Sequence, residues 1–237
     1  MGENNNFKKG IIDGLPICFG YLSVAFAFGI FAGKNGLSIL EALAISMTNV
    51  TSAGQLAAVP IIASGGTLIE LAITQIIINL RYALMSVSLS QKLGKSVNML
   101  DRFIIAFVNT DEVFAVASSN RLNVGKKYLY GLILTPYLGW SLGTLLGSVA
   151  GDILPQSVTS ALGLAIYGMF IAIVVPSMKK SHATTGCVLT AVFLGCMFRY
   201  LPMLKSVPQG FVIILCAVFA SALFAFIAPH SEEAENE

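Results

Sequence analysis

The chain has 237 residues, of which 56% belong to the set AVILMFWYC, 22 are glycine and only 11% are charged. Soluble domains carry charge on about a quarter of their residues, so this composition excludes an ordinary soluble globular protein and points to a bilayer. The net charge of +2 is spread over scattered lysines and arginines, and without a basic cluster there is no phosphate-binding face, so no nucleic acid is expected as a partner.

Apolar windows of bilayer length, roughly 17 to 25 residues, fall at about 11–33, 38–63, 67–91, 99–119, 128–150, 158–176, 184–200 and 207–228. They predict an all-α, polytopic transmembrane helical bundle of seven to eight spans. The count is seven if the short window ending at Arg199 is re-entrant. The apolar runs are continuous rather than alternating, which argues against transmembrane strands. The transport domain is thus 11–228, between a short N-terminus at 1–10 and an acidic tail at 229–237 that is too polar to order itself. Cytoplasmic loops retain positive charge. With the N-terminus inside and eight crossings, Lys8, Lys9, Arg121, Lys126, Lys127, Lys179 and Lys180 lie inside, against Lys34, Lys92, Lys95 and Lys205 outside. That sense is the favoured one.

The first window follows Lys8 and Lys9 as a signal peptide would, but it is long enough to span and more windows follow, so it is read as a retained helix. Ala25, Gly29 and Gly33 are spaced by four and share one helical face. The second window is interrupted by NVTSAGQLAAV (Asn49 to Val59). Thr51, Ser52, Gly54 and Gln55 let the backbone unwind there, which predicts a discontinuous second span with Asn49, Ser52, Gly54 and Gln55 facing a substrate cavity. The competing reading is a continuous helix whose small polar side chains bond across the bundle.

In the third window Gln75 and Asn79 lie one turn apart, and Arg81 is just past the midpoint. An arginine at that depth costs about 2.5–3.5 kcal/mol even on a lenient insertion scale, so it needs protein, water and a partner. The fourth window, IIAFVNTDEVFAVA, supplies Asp111 and Glu112 near its centre, after Asn109 and Thr110. Two antiparallel neighbours would leave Arg81 and Asp111 about 6 Å apart in depth at about 1.5 Å per residue, which long side chains bridge. Successive helical residues point apart, so one acid can pair with Arg81 while the other faces a cavity and carries a proton. The alternative is a static knot in which both acids are consumed.

The fifth window stacks Gly139, Gly143, Gly147 and Gly151 on one face as a helix-packing groove, for a helix of this chain or of another subunit. GIFAG (Gly29 to Gly33) and GSVAG (Gly147 to Gly151) hint at a parallel internal repeat. Tyr137 and Trp140 line a pocket or simply pack. Glu41, Glu70 and Asp13 are assigned to solvated helix ends. Cys18, Cys187, Cys196 and Cys216 read as small core residues, and neither His182 nor His230 has a second ligand nearby, so no metal and no cofactor are expected.

The segments GLPICFGYLSVAFAFGIFAG, SAGQLAAV, NLRYALMSVSL, TDEVFAV and YLGWSLGTLLGSVAG, in that order and spacing, resemble the AzlC family, the large subunit of bacterial two-component branched-chain amino acid exporters. The resemblance covers about residues 10–178. It implies an inner-membrane permease that works with a small, multi-span AzlD-like membrane subunit and moves leucine, isoleucine, valine and sometimes methionine outward, coupled to the proton gradient. Carried over by position, the family's motif residues fall on Gly54, Gln55, Asn79, Arg81, Asp111 and Glu112. Two departures stand out. Tyr82 occupies a place where the family commonly has histidine, which removes a group that titrates near neutrality, and Thr51 stands where an aromatic or small apolar residue is common.

The mechanism implied is alternating access around the broken second span and the third and fourth. Arg81 or backbone amides near Gly54 would take a substrate carboxylate, Asp111 the ammonium, and Leu56 with nearby apolar residues the aliphatic group. The chain is not expected to be an enzyme, because an intramembrane hydrolase needs an activated nucleophile and base and neither histidine lies in a span. An importer or exporter of another small polar metabolite, or a non-transporting scaffold or channel subunit, remains as an alternative.

Overall fold

The computed structural model describes residues 3–155, 181–204 and 206–228, with isolated positions between 157 and 179. The sixth expected window and the acidic tail lie outside the described residues. All the long elements are helical: α1 (Phe7–Lys34), α2 (Ile39–Thr48), α3 (Ser52–Ala63), α4 (Leu68–Ser90), α5 (Met99–Phe107), α6 (Asp111–Ser118), α7 (Lys126–Ile153), α8 (His182–Tyr200) and α9 (Gln209–Ile227). Among the described residues, five of these, α1, α4, α7, α8 and α9, are long and apolar enough to cross a membrane. A two-residue parallel pairing of β1 (Glu3–Asn4) with β2 (Asn123–Val124), extended by a single parallel bridge from Leu93 to Val124, departs from an all-helical description.

The chain divides into two compact units. The first comprises residues 1–59 and 78–166, the second 60–77 and 167–237.

In the first unit, α1 and α7 lie side by side and run in the same direction. A Cβ on Gly10 or Gly14 would strike the backbone of Tyr128 or Leu132, and one on Gly139, Gly143 or Gly147 would strike the carbonyls of Cys18, Leu22 or Phe26. The register rises together along both helices, and only glycine permits so close an approach. The groove expected on the fifth window therefore takes α1 of this same chain. Gly151 stands looser, since a Cβ added there would lie 3.6 Å from the Ile30 Cα. GIFAG and GSVAG end two helices that are parallel neighbours.

The break expected in the second window is present at 49–51. Ser38 starts α2 with a capping box, its hydroxyl accepting from the Glu41 N–H and the Glu41 carboxylate accepting from the Ser38 N–H. From the Lys34 end of α1, α2 reaches the level of the α7 midpoint, where Ser46 meets Thr144 and the Met47 carbonyl accepts from the Tyr137 hydroxyl. Then α3 turns back, since Val59 rejoins Phe28, Ala32, Leu37 and Ala42 in one cluster near the end of α1.

A second break, which hydropathy did not reveal, divides the fourth window at 108–110. That window does not cross. The Gly94 N–H donates to the Val124 carbonyl at 2.8 Å, the Lys126 N–H to the Ser96 hydroxyl at 3.0 Å, and the Gly125 N–H to the Asn4 carbonyl at 2.7 Å. The loops before α5 and after α6 thus meet at the N-terminal end, and α5–α6 is a re-entrant hairpin entering from that end. Re-entrant pieces are the second and fourth windows rather than the seventh, which is the continuous helix α8. The expected placement of Lys92 and Lys95 opposite Lys126 and Lys127 is overturned by the same bonds, which bring all four to one end.

The second unit holds α8 and α9, joined through a 3-10 turn at Pro202–Leu204. Glu70, expected at a solvated end, is 4% exposed, and its carboxylate accepts from the Gly210 N–H at 2.8 Å, satisfying one of the orphan donors that open α9. Of the four cysteines only Cys216 is buried, and Cys196 is exposed on α8, so a core role for all four does not hold.

Candidate functional site

The two breaks are built alike. At the first, the Thr51 N–H donates to the Asn49 carbonyl, and the Thr51 hydroxyl accepts from the Gly54 N–H at 3.3 Å. At the second, the Thr110 N–H donates to the Val108 carbonyl, and the Thr110 hydroxyl accepts from the Val113 N–H at 3.4 Å. Each threonine caps a short helix whose partly positive N-terminus lies within the protein. Thr51, a departure from the family pattern, is thus a capping residue. Val50 and Val108 share one core with Tyr21 and Trp140, and Tyr137, whose hydroxyl reaches Met47, packs its ring against Phe107. Both breaks therefore sit at the level of the α7 midpoint.

At the second break, Arg81 Nη2 lies 2.9 Å from Asp111 Oδ2. Asp111 and Glu112 open α6 rather than sitting in mid-helix, so its N-terminal amides favour their charge. Glu112 points elsewhere and accepts a hydrogen bond from the Tyr21 hydroxyl of α1. Asp111 is paired with the cation and Glu112 is not, as the angle between adjacent helical residues requires, yet Glu112 is itself held by a hydroxyl of a neighbouring span, as the static alternative expects. Arg81 also donates to the Tyr82 hydroxyl at 3.1 Å and stacks on that ring, so the family-atypical tyrosine orients the arginine. Side-chain exposures of 51% for Arg81 and 46% for Asp111 leave the pair accessible. At such depth a charge pair faces water or protein, not lipid.

At the first break, Gln55 is fully buried. The Ser46 hydroxyl donates to its Oε1 at 3.2 Å and lies 2.6 Å from the Thr144 hydroxyl, while Gln55 Nε2 has no partner. One turn from Thr144 on α7, buried Trp140 has an unpartnered Nε1 and meets the Tyr21 ring edge-on at 5.0 Å. Tyr21 thus meets Trp140 with its ring and the Glu112 carboxylate with its hydroxyl. Asn49 and Ser52 flank the break, half-buried, with Gly54 buried at the start of α3; Asn79 is half-buried on α4, one turn after Gln75. Leu56, expected to receive an aliphatic group, instead packs on the Phe28 and Val59 cluster.

Tyr21, Ser46 and Thr144 were not legible as site residues, because a single hydroxyl inside an apolar run has no pattern of its own. Ser86 is a further case: its hydroxyl accepts from Asn109 Nδ2 at 3.2 Å.

The AzlC protein family matches residues 16–154, which contain both breaks, the glycine face and the Arg81–Asp111 pair. The chain belongs to the AzlC family. It is 35% identical to an uncharacterized membrane protein of Archaeoglobus fulgidus over 77% of this chain and 80% of that protein. It is 29% identical to the inner membrane protein YgaZ of Escherichia coli K12 over 98% of this chain and 94% of that protein. No solved structure matches it. Family membership and the five long apolar helices make it a multi-pass membrane protein, consistent with a transporter subunit.

Proposed function

We propose that this AzlC-family chain is the substrate-carrying subunit of an exporter for branched-chain amino acids in the cytoplasmic membrane, coupled to the proton gradient and completed by a small AzlD-like membrane subunit. The observation that carries the reading is the pair of capped half-helices that start at the same depth, one beside unpartnered donors and the other bearing Asp111 and Glu112. Transporters place substrates where unwound backbone and half-helix ends line a cavity. A zwitterion suits this arrangement. Its carboxylate would meet Gln55 Nε2, Trp140 Nε1 and the α3 amides, and its ammonium would meet Glu112 and Asp111, while Arg81 pairs with Asp111. Glu112, outside the ion pair, is the candidate proton carrier. Broad specificity follows, because one methylene in an apolar pocket discriminates by only about 1–3 kcal/mol.

Orientation is part of the proposal. Lys8, Lys9, Lys92, Lys95, Arg121, Lys126 and Lys127 belong to the N-terminal end, which supports a cytoplasmic position for that end.

The test is efflux from cells loaded with valine or leucine through a dipeptide, with and without this chain and its candidate partner. Faster, saturable loss that Asp111→Asn abolishes supports the exporter. Unchanged retention with both chains confirmed in the membrane would sink it, and would favour a scaffold or another substrate.

A further inference from the structure

The second half of α4 and the length of α5 line a half-open cavity of about 270 Å³. At about 30 Å³ per water that is the space of one amino acid rather than a peptide. Its walls are apolar, from Leu89, Phe103, Ile105 and Ala106, and polar side chains mark its two ends. At the end nearest the cytoplasmic loops lies Arg102; at the other lie Ser86 and Asn109. Asn109 is 3% exposed, gives Nδ2 to Ser86, and is left with an unpartnered Oδ1. A buried acceptor without a donor is costly, and here it stands two residues before Asp111 at the wall of a cavity.

We infer that this cavity is the inward-facing subsite for the aliphatic side chain of the substrate, with Asn109 Oδ1 accepting from the substrate ammonium at its inner end. The inference rests on the amino acid reading given above and replaces Leu56 by the α4–α5 wall as the seat of the aliphatic group. Three features select this occupant. The volume fits one residue, the walls match a branched hydrocarbon, and the polar end offers an acceptor beside a carboxylate, which suits an ammonium and repels a phosphate. Ala106 is the smallest apolar side chain of the wall, so a larger one there would take up room that a long aliphatic group needs.

The experiment is counterflow of radiolabelled leucine into vesicles from membranes holding the full chain and its candidate partner, with unlabelled alanine, valine and leucine as competitors. Ala106→Phe is expected to weaken leucine at least tenfold, valine less, and alanine under twofold; one methylene in an apolar pocket is worth about 10- to 200-fold. Asn109→Ala is expected to weaken all three alike, since all carry the same ammonium. An equal response to all competitors in Ala106→Phe, at normal membrane abundance, overturns the cavity assignment, as does an unchanged ranking. Leucine counterflow in the wild type that Ala106→Phe leaves untouched rejects this subsite while sparing the transporter reading. Absence of counterflow for every aliphatic amino acid in the wild type rejects both. A change in Ala106→Phe that follows the acyl-chain length of the vesicle lipid rather than the competitor identifies a lipid occupant and also overturns the inference.

Discussion

Thr51 and Thr110, 59 residues apart, occupy equivalent places in two hairpins that enter the first unit from opposite ends. The helices around them keep nearly the same spacing: α1, α2 and α3 are followed by α4, α5 and α6, and the capping box of Ser38 with Glu41 is matched by that of Asn98 with Asp101. The two hairpins and their preceding helices thus share spacing and capping while entering from opposite ends, the pattern of an inverted-topology repeat.

Topology gives the most direct prediction. Cysteines placed at Lys95 and Lys127 are expected to react with an impermeant thiol reagent from the same side of the membrane, and one at Lys34 from the other. Labelling of the Lys95 and Lys127 positions from opposite sides would show that α5–α6 crosses.

The ion pair predicts coupled mutational effects. Arg81→Ala and Asp111→Asn are each expected to lower saturable efflux more than tenfold, because each leaves the other group without its partner at bilayer depth. The double variant is expected to express better than Arg81→Ala alone, since no unpaired acid remains from the pair. Membrane abundance and initial efflux rates check both points.

Close helix approach predicts a graded steric response. Gly147→Leu forces α7 away from the Phe26 carbonyl and is expected to destabilise by about 1–3 kcal/mol or more, the usual range for overpacking. Gly151→Ala, whose Cβ would meet α1 at an ordinary 3.6 Å, is expected to be near neutral. Thermal unfolding in detergent would separate the two, and equal melting temperatures would refute the register.

Glu70 predicts a loss of stability with little loss of transport. Its buried carboxylate caps α9 through the Gly210 N–H, a charge-assisted bond of the kind worth about 1.5–3 kcal/mol. Glu70→Ala should lower the unfolding temperature while efflux per folded molecule stays within twofold. A larger drop in efflux at unchanged stability would move Glu70 into the transport machinery.

The residues that announced themselves in the sequence did so by being expensive in lipid. Arg81, Asp111 and Glu112 are charges in apolar runs, the Asn49 to Gln55 segment is a polar interruption, and the glycines at spacing four form a face; each is a local signal that one helix carries alone. The second break was hidden because Val108, Asn109 and Thr110 are one short polar step in a window whose length still suited a crossing. Hydropathy measures transfer, not direction, so a hairpin that returns scores like a helix that crosses. What the tertiary structure decided was pairing: that the glycine groove takes α1, that Glu112 turns to Tyr21 while Asp111 takes Arg81, that Glu70 is a buried cap, and that Lys92 and Lys95 join Lys126 and Lys127. Those outcomes depend on hydrogen bonds between segments tens of residues apart. A buried polar group must be satisfied wherever the fold brings a partner, and the sequence of one segment does not name the other.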